Sequence, residues 1–222
     1  MNAAPPPPQH PNTCTLCLVR HGETPWNTER RLQGHIDIPL NETGIAQARA
    51  ARASLAGVRF GAAYSSDLER ARRTAEEIVA DPTAIVLTPQ LRERHYGVFQ
   101  GLTYAEAESR HPEAYQRFKR RDPDFAFPEG GESLRAFAAR IAGMLNEIAA
   151  RHAGEHVLVV THGGVLDIAH RIAAGKPLEA ARDFTIPNAS LNWIAHDERG
   201  WRLISWGDIR HTGGARDELA HA

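Results

Sequence analysis

Cysteine is nearly absent: Cys14 and Cys17 are the only two among 222 residues. Two thiols three positions apart cannot staple a fold. A domain of this length needs no staple, because it buries roughly three-quarters of its unfolded surface. The pair does have the CxxC spacing of zinc and redox motifs. Zinc would require a second pair of ligands close by, and redox pairs open a helix after a strand. Here the pair opens a predicted strand, where positions three apart point to opposite faces. Strand packing is the expectation, with no metal bound.

Long apolar runs are missing too. None approaches the roughly twenty residues that span a bilayer, so no membrane partner is expected. Nor does one sign of charge dominate. The formal net charge is −1, which gives no electrostatic case for nucleic acid or a membrane surface. Any anion must therefore be held by a local cluster of positive groups. The opening MNAAPPPPQHPNT lacks the basic region and apolar core of a signal peptide, so a cytoplasmic location is expected. Its prolines read as a disordered or polyproline extension over 1–13, and HTGGARDELAHA over 211–222 reads as a flexible tail. Between them, 14–210 shows no repeat and no linker and reads as one domain.

What the chain has is alternation, on a composition of 42% hydrophobic and 24% charged residues that suits a globular protein. LCLVR (16–20), GAAYSS (61–66), AIVLT (84–88) and HVLVVT (156–161) read as strands. Helices are predicted over 41–56, after Ser66, over 132–151 and over 163–175, the last stopped by Gly175 with Pro177 beyond it. Ser66 and Glu69 have the spacing of a capping box. ASLNWIAHD and WRLISWG form a late hairpin around ERG, and 90–131 is a mixed segment rich in aromatic and charged residues. Strands alternating with helices imply an α/β fold, a helix–sheet–helix sandwich on a mostly parallel sheet.

Two strand ends share a pattern. Val19-Arg20 leads into His21-Gly22, and Val160-Thr161 leads into His162-Gly163. Ligands of open parallel sheets bind at the carboxyl ends of strands, so both histidines can reach one crevice. SSDLERARRTA places Arg70 on the first turns of the helix after the second strand, while Arg72 and Arg73 read as its solvated face. LRERHYGVFQG carries Glu93 on the loop after the third strand, with His95 close to it. A metal held by His21, His162 and Glu93 is disfavoured, because Arg20 would repel a cation. His152 and His156 flank Gly154 and read as surface residues.

LVRHGETPWN, SSDLERARRTA, LRERHYGVFQG and VVTHGG together resemble, in order, the signatures of the histidine phosphatase superfamily, which includes the cofactor-dependent phosphoglycerate mutases. The resemblance covers roughly Thr15 to Trp206. It implies a phosphoglycerate mutase-like fold with His21 as nucleophile and His162 as its partner. Arg20 and Arg70 would grip the phosphoryl group, and Glu93 would donate the proton. Asn27 could donate an amide hydrogen bond to the same anion. Gln33, Gly34, Tyr96 and Gly163 are implied in substrate binding, as are Arg120 and Arg121, which stand where mutases carry a substrate-gripping pair. Exposed surface arginines are the competing reading of that pair.

The chemistry fits these roles. A neutral imidazole is a competent nucleophile near neutral pH, and guanidinium forks stabilise the dispersed charge of a transferring phosphoryl group. No metal or other cofactor is required. The expected activity is a metal-independent phosphomonoesterase acting on a small phosphate ester. The alternative is a mutase primed by 2,3-bisphosphoglycerate, and a catalytically silent binding module is a third reading. Tyr104 stands where mutases carry a carboxylate-binding lysine, and their insertion after the arginine pair is missing. A mutase must exclude water while its intermediate reorients, so a shortened cover favours hydrolysis. The motifs leave a homodimer open.

Overall fold

In the computed structural model, which describes residues 7–215 and Asp217, the alternation becomes a six-stranded sheet in the order β3-β2-β4-β1-β5-β6. The strands are β1 Cys14–Arg20, β2 Ala62–Ser66, β3 Ile85–Thr88, β4 His156–Thr161, β5 Leu191–Asp197 and β6 Gly200–Asp208. The helices are α1 Pro25–Thr28, α2 Glu42–Leu55, α3 Glu69–Ile78, α4 Tyr104–Arg110, α5 Pro112–Lys119, α6 Leu134–Arg151 and α7 Gly163–Ala174. β3, β2, β4 and β1 run parallel, and β5 and β6 extend the sheet antiparallel. No helix among the described residues is long and apolar enough to cross a membrane.

β1 and β4 are buried at every position, as expected of central strands covered on both faces. Along β1, Cys14, Leu16 and Leu18 enter one apolar cluster, and Cys17 and Val19 enter the other. α6 and α7 supply the first cluster, while α2 and α3 close the second. The two cysteines thus pack on opposite faces, as strand periodicity requires. Burial pushes the Cys14 thiol up to about 11 and the Cys17 thiol higher still, so neither is a thiolate at neutral pH.

Most helix ends follow local chemistry. Asn41 caps α2 by accepting from Gly44 N, Ser133 caps α6 by accepting from Ala136 N, and Gly175 ends α7 in the left-handed region at φ 64°. The capping box expected of Ser66 and Glu69 does not form. Ser66 is the last residue of β2, its hydroxyl lies 2.8 Å from His162 Nε2, and α3 begins after Leu68. Asp37 takes over the cap from outside the helix, accepting from Glu69 N at 2.8 Å.

The mixed segment 90–131 contains α4 and α5 around a third apolar cluster. Phe99 is fully buried there, with the rings of Tyr115, Phe118 and Phe127 within 6.3 Å of its own. Phe99→Ala is expected to cost about 3–5 kcal/mol, read as a lower urea midpoint. His156 is buried against Trp193 rather than at the surface, because it opens a central strand. His152 is half-buried, between Tyr64 Oη at 3.0 Å and Glu155 at 2.7 Å. Of the expected extension, residues 1–6 lie outside the described residues, while Thr13 is buried and its carbonyl accepts from Gly154 N.

Candidate active site

Register builds the site. Arg20 on β1 pairs with Thr161 on β4, so the two strands end level, and His21 N donates to Thr161 O at 2.8 Å. The next residue of each strand is a histidine, and the two rings lie 5.3 Å apart. His21 Nδ1 is 2.7 Å from Gly22 O. A carbonyl only accepts, so Nδ1 carries the proton and Nε2 keeps its lone pair. Burial, then Arg70 and Arg20, hold the imidazole well below its usual pKa and hence neutral. A Cβ on Gly22 would lie 2.3 Å from Gly44 O, so only glycine lets this loop pass α2.

Two buried guanidinium groups face this imidazole electrostatically. Arg70 donates to Ile36 O at 3.0 Å and to Gly34 O at 2.8 Å, and its Nε is buried without a partner. Burial pushes it down to about 10, still cationic at neutral pH. These neutral carbonyls orient the fork without cancelling its charge. Arg20 Nη1 donates to Ile186 O at 2.6 Å and lies 4.0 Å from Asp217 Oδ1. Asp217 also accepts from Ile186 N at 2.8 Å, which ties the end of the described chain to the segment beside Arg20.

Glu93 is buried, with Oε1 accepting from Arg94 N at 2.8 Å and Oε2 from Gly164 N at 2.9 Å, at the start of α7. Desolvation raises its carboxyl pKa against those two bonds and against Arg70 and Arg20. A Cβ on Gly164 would meet Glu93 Oε1 at 2.1 Å, so the helix approaches the carboxyl this closely only with glycine there. His35 Nε2 holds the Glu93 carbonyl at 2.8 Å, and His95 packs edge-on against His35 at 4.8 Å. His162 Nδ1 is buried without a partner, and burial with Arg70 keeps the ring neutral as well.

One cavity brings His21, Arg20, Arg70 and Glu93 together with Asn27, Gln33, Gly34 and Tyr96. Asn27 Oδ1 accepts from Thr24 N at 2.9 Å, which orients its side-chain amide at the cavity wall. Gly163 lines a neighbouring cavity that shares Tyr96 and Tyr104 with the first. The expected arginine pair does not line one cavity together. Arg120 is an exposed residue at the end of α5 and lines neither cavity. Arg121 lines the second, but its fork is held by Asp167 at 2.6 Å and Leu178 O at 2.8 Å. Arg73 forms exposed ion pairs with Glu76 and Glu77, as expected, and Arg72 a part-buried one with Glu76.

Three contributors escaped the sequence reading. Ser66 contacts His162, Thr74 Oγ1 accepts from Gly22 N at 3.0 Å, and Asn188 donates to His21 O at 3.1 Å. Ser66 could have been found as a strand-end residue beside a predicted crevice. Thr74 and Asn188 carry no local signal, since their partners are 52 and 167 positions away.

The two neutral histidines give stability a definite pH slope. Both have folded pKa values below the ordinary 6.5. As pH falls through 6.5 the unfolded chain takes up protons that the folded chain refuses, so stability drops. The urea midpoint is expected to fall between pH 7 and pH 5, and to fall less in His21→Gln. An equal fall in both proteins would assign the slope to other groups.

Residues 16–209 match the profile of the histidine phosphatase superfamily (branch 1). A metal-independent phosphoserine phosphatase from Arabidopsis thaliana is 42% identical over 204 residues, covering 88% of this chain and 82% of that protein. Phosphoglycerate mutase-like protein 4 of the same plant is 42% identical over 200 residues, covering 88% and 86%. Among solved structures, YhfR of Bacillus stearothermophilus superposes with a TM-score of 0.82 at 33% identity, over 90% of this chain and 99% of that one.

Proposed function

The chain belongs to the histidine phosphatase superfamily and is a phosphoric monoester hydrolase, and we propose that it works through a phosphohistidine formed on His21. The observation that carries this reading is the 2.7 Å contact of His21 Nδ1 with Gly22 O: a carbonyl only accepts, so the proton sits on Nδ1 and Nε2 is the basic nitrogen. In the proposed first step Nε2 attacks phosphorus and the ester P–O bond breaks. The Glu93 carboxyl gives its proton to the departing alkoxide. Arg20 and Arg70 neutralise the transferring group, so the scheme routes no step through a metal. In the second step water attacks phosphorus, Glu93 takes its proton, and the P–N bond breaks to release phosphate and free His21.

Bound phosphate dianion screens Arg70 from His162 and Glu93. That favours protonation of both and supports His162 as an added donor to the phosphoryl oxygens. The mutase reading, with 2,3-bisphosphoglycerate as primer, has the plant relative's name in its favour. Against it stand Tyr104 in place of a lysine and an arginine pair of which one is exposed and the other engaged. Phosphate release from a panel of small phosphate esters, with 3-phosphoglycerate included, tests the reading. Rapid 3-to-2 isomerisation on addition of the bisphosphate, with little free phosphate, would overturn it.

A further inference from the structure

We propose that Arg182 is the residue that selects substrates carrying a carboxylate on the alcohol half of the ester. The role expected of Arg120 and Arg121 thereby falls to an arginine that no motif marks. This rests on the phosphomonoesterase reading of the same site.

Arg182 sits in the irregular segment between α7 and β5 and lines the same cavity as Gly163. Its Nη2 is buried without a hydrogen-bond partner. Among the described lining residues, the other cations are already held by hydrogen bonds. Arg94 donates to Glu132 O and Phe125 O, each at 3.1 Å, and Arg121 is held by Asp167. Asp167 is the one carboxylate among the described lining residues, and both its oxygens accept from Arg171 as well. Among the described lining residues, the unmatched group is therefore a donor with positive charge, and no carboxylate is left over to receive a substrate ammonium. Burial pushes the Arg182 guanidinium below the usual range, Asp217 and Asp167 oppose that, and Arg20 adds to it. That pattern of influence puts Arg182 within electrostatic reach of the phosphate clamp.

The class of ligand follows from charge and shape. One planar fork matches one carboxylate, whereas a second phosphate would call for more than a single uncommitted cation. Apolar neighbours such as Phe137 and Leu134 suit a short carbon chain between the two anions. An amino group on that chain gains little, so phosphorylated hydroxy acids and phosphorylated amino acids should be handled alike.

The test compares 3-phosphoglycerate and O-phosphoserine with glycerol 3-phosphate, which lacks the carboxylate. In the wild type, kcat/KM should favour both acids. Arg182→Met should shrink that preference by about 10–100-fold, mainly through KM, and Arg182→Lys should restore part of it. A preference that survives Arg182→Met, or that disappears in Arg120→Met instead, overturns the proposal. Calorimetric binding to the His21→Ala protein separates the two readings. If the wild type hydrolyses nothing, yet 3-phosphoglycerate binds more tightly than glycerol 3-phosphate only when Arg182 is present, hydrolysis fails and the Arg182 site stands. Equal binding with and without Arg182 removes the site.

Discussion

His21→Ala is expected to lower phosphate release by at least about 10⁴-fold, with the protein still folded and still binding inorganic phosphate. Removing a nucleophile that forms a covalent intermediate can cost as much as about 10⁶-fold. What remains is direct attack by water on an ester that the arginines still hold. Arg20 keeps its bond to Ile186 O and Arg70 its bonds to Gly34 O and Ile36 O, none of which passes through the imidazole. Phosphate affinity should therefore survive, and calorimetry with inorganic phosphate checks it. His162 is no substitute nucleophile, since the bound anion favours its protonated form, which carries no free lone pair. Wild-type protein quenched during turnover should carry an acid-labile phosphoryl group that His21→Ala lacks. Turnover within tenfold of wild type, or labelling that persists in the variant, would assign the chemistry to another residue.

The fold was legible because its signals are local. Val157 to Val160 make an apolar run, three of its four residues β-branched, that suits a buried central strand, and Asn41, Ser133 and Gly175 mark helix ends through their own side chains or lack of one. The strand-end pairs Arg20-His21 and Thr161-His162 were legible for the same reason, as a motif repeated at two places where ligands gather. The site's outer ring was not. Whether Arg121 grips substrate or packs against Asp167 depends on a partner 46 positions away. Arg182 lies in a stretch without periodicity, where nothing in the neighbouring residues separates it from a surface arginine. Ser66 misled because one hydroxyl satisfies two local rules, the helix cap and the strand end, and His162 across the sheet decides between them. Ligand specificity in this chain is written in such long-range pairings, and phosphoryl chemistry in the short motifs.

Glu93→Gln is expected to separate the two chemical steps. With an alkyl phosphate the leaving alkoxide needs a proton as the bond breaks, so losing the acid should cost about 10²–10⁴-fold. An aryl phosphate such as p-nitrophenyl phosphate leaves as a stabilised anion and needs no proton, so its first step should be nearly spared. Hydrolysis of the phosphohistidine still needs a base, which glutamine cannot be. The variant should then release a burst of about one nitrophenolate per active site and accumulate phosphoenzyme. Burial raises the wild-type carboxyl pKa, which extends the protonated form upward in pH. For alkyl esters kcat/KM should fall as pH rises through that value, and for the aryl ester this limb should be absent. Structural damage has a different signature. Glutamine can accept from only one of Arg94 N and Gly164 N through its oxygen, so some loosening at the start of α7 is expected. Loosening alone would slow both esters together and leave no burst. Equal losses on the two substrates, without accumulated phosphoenzyme, would remove Glu93 from the proton-transfer role and leave it as a cap on α7.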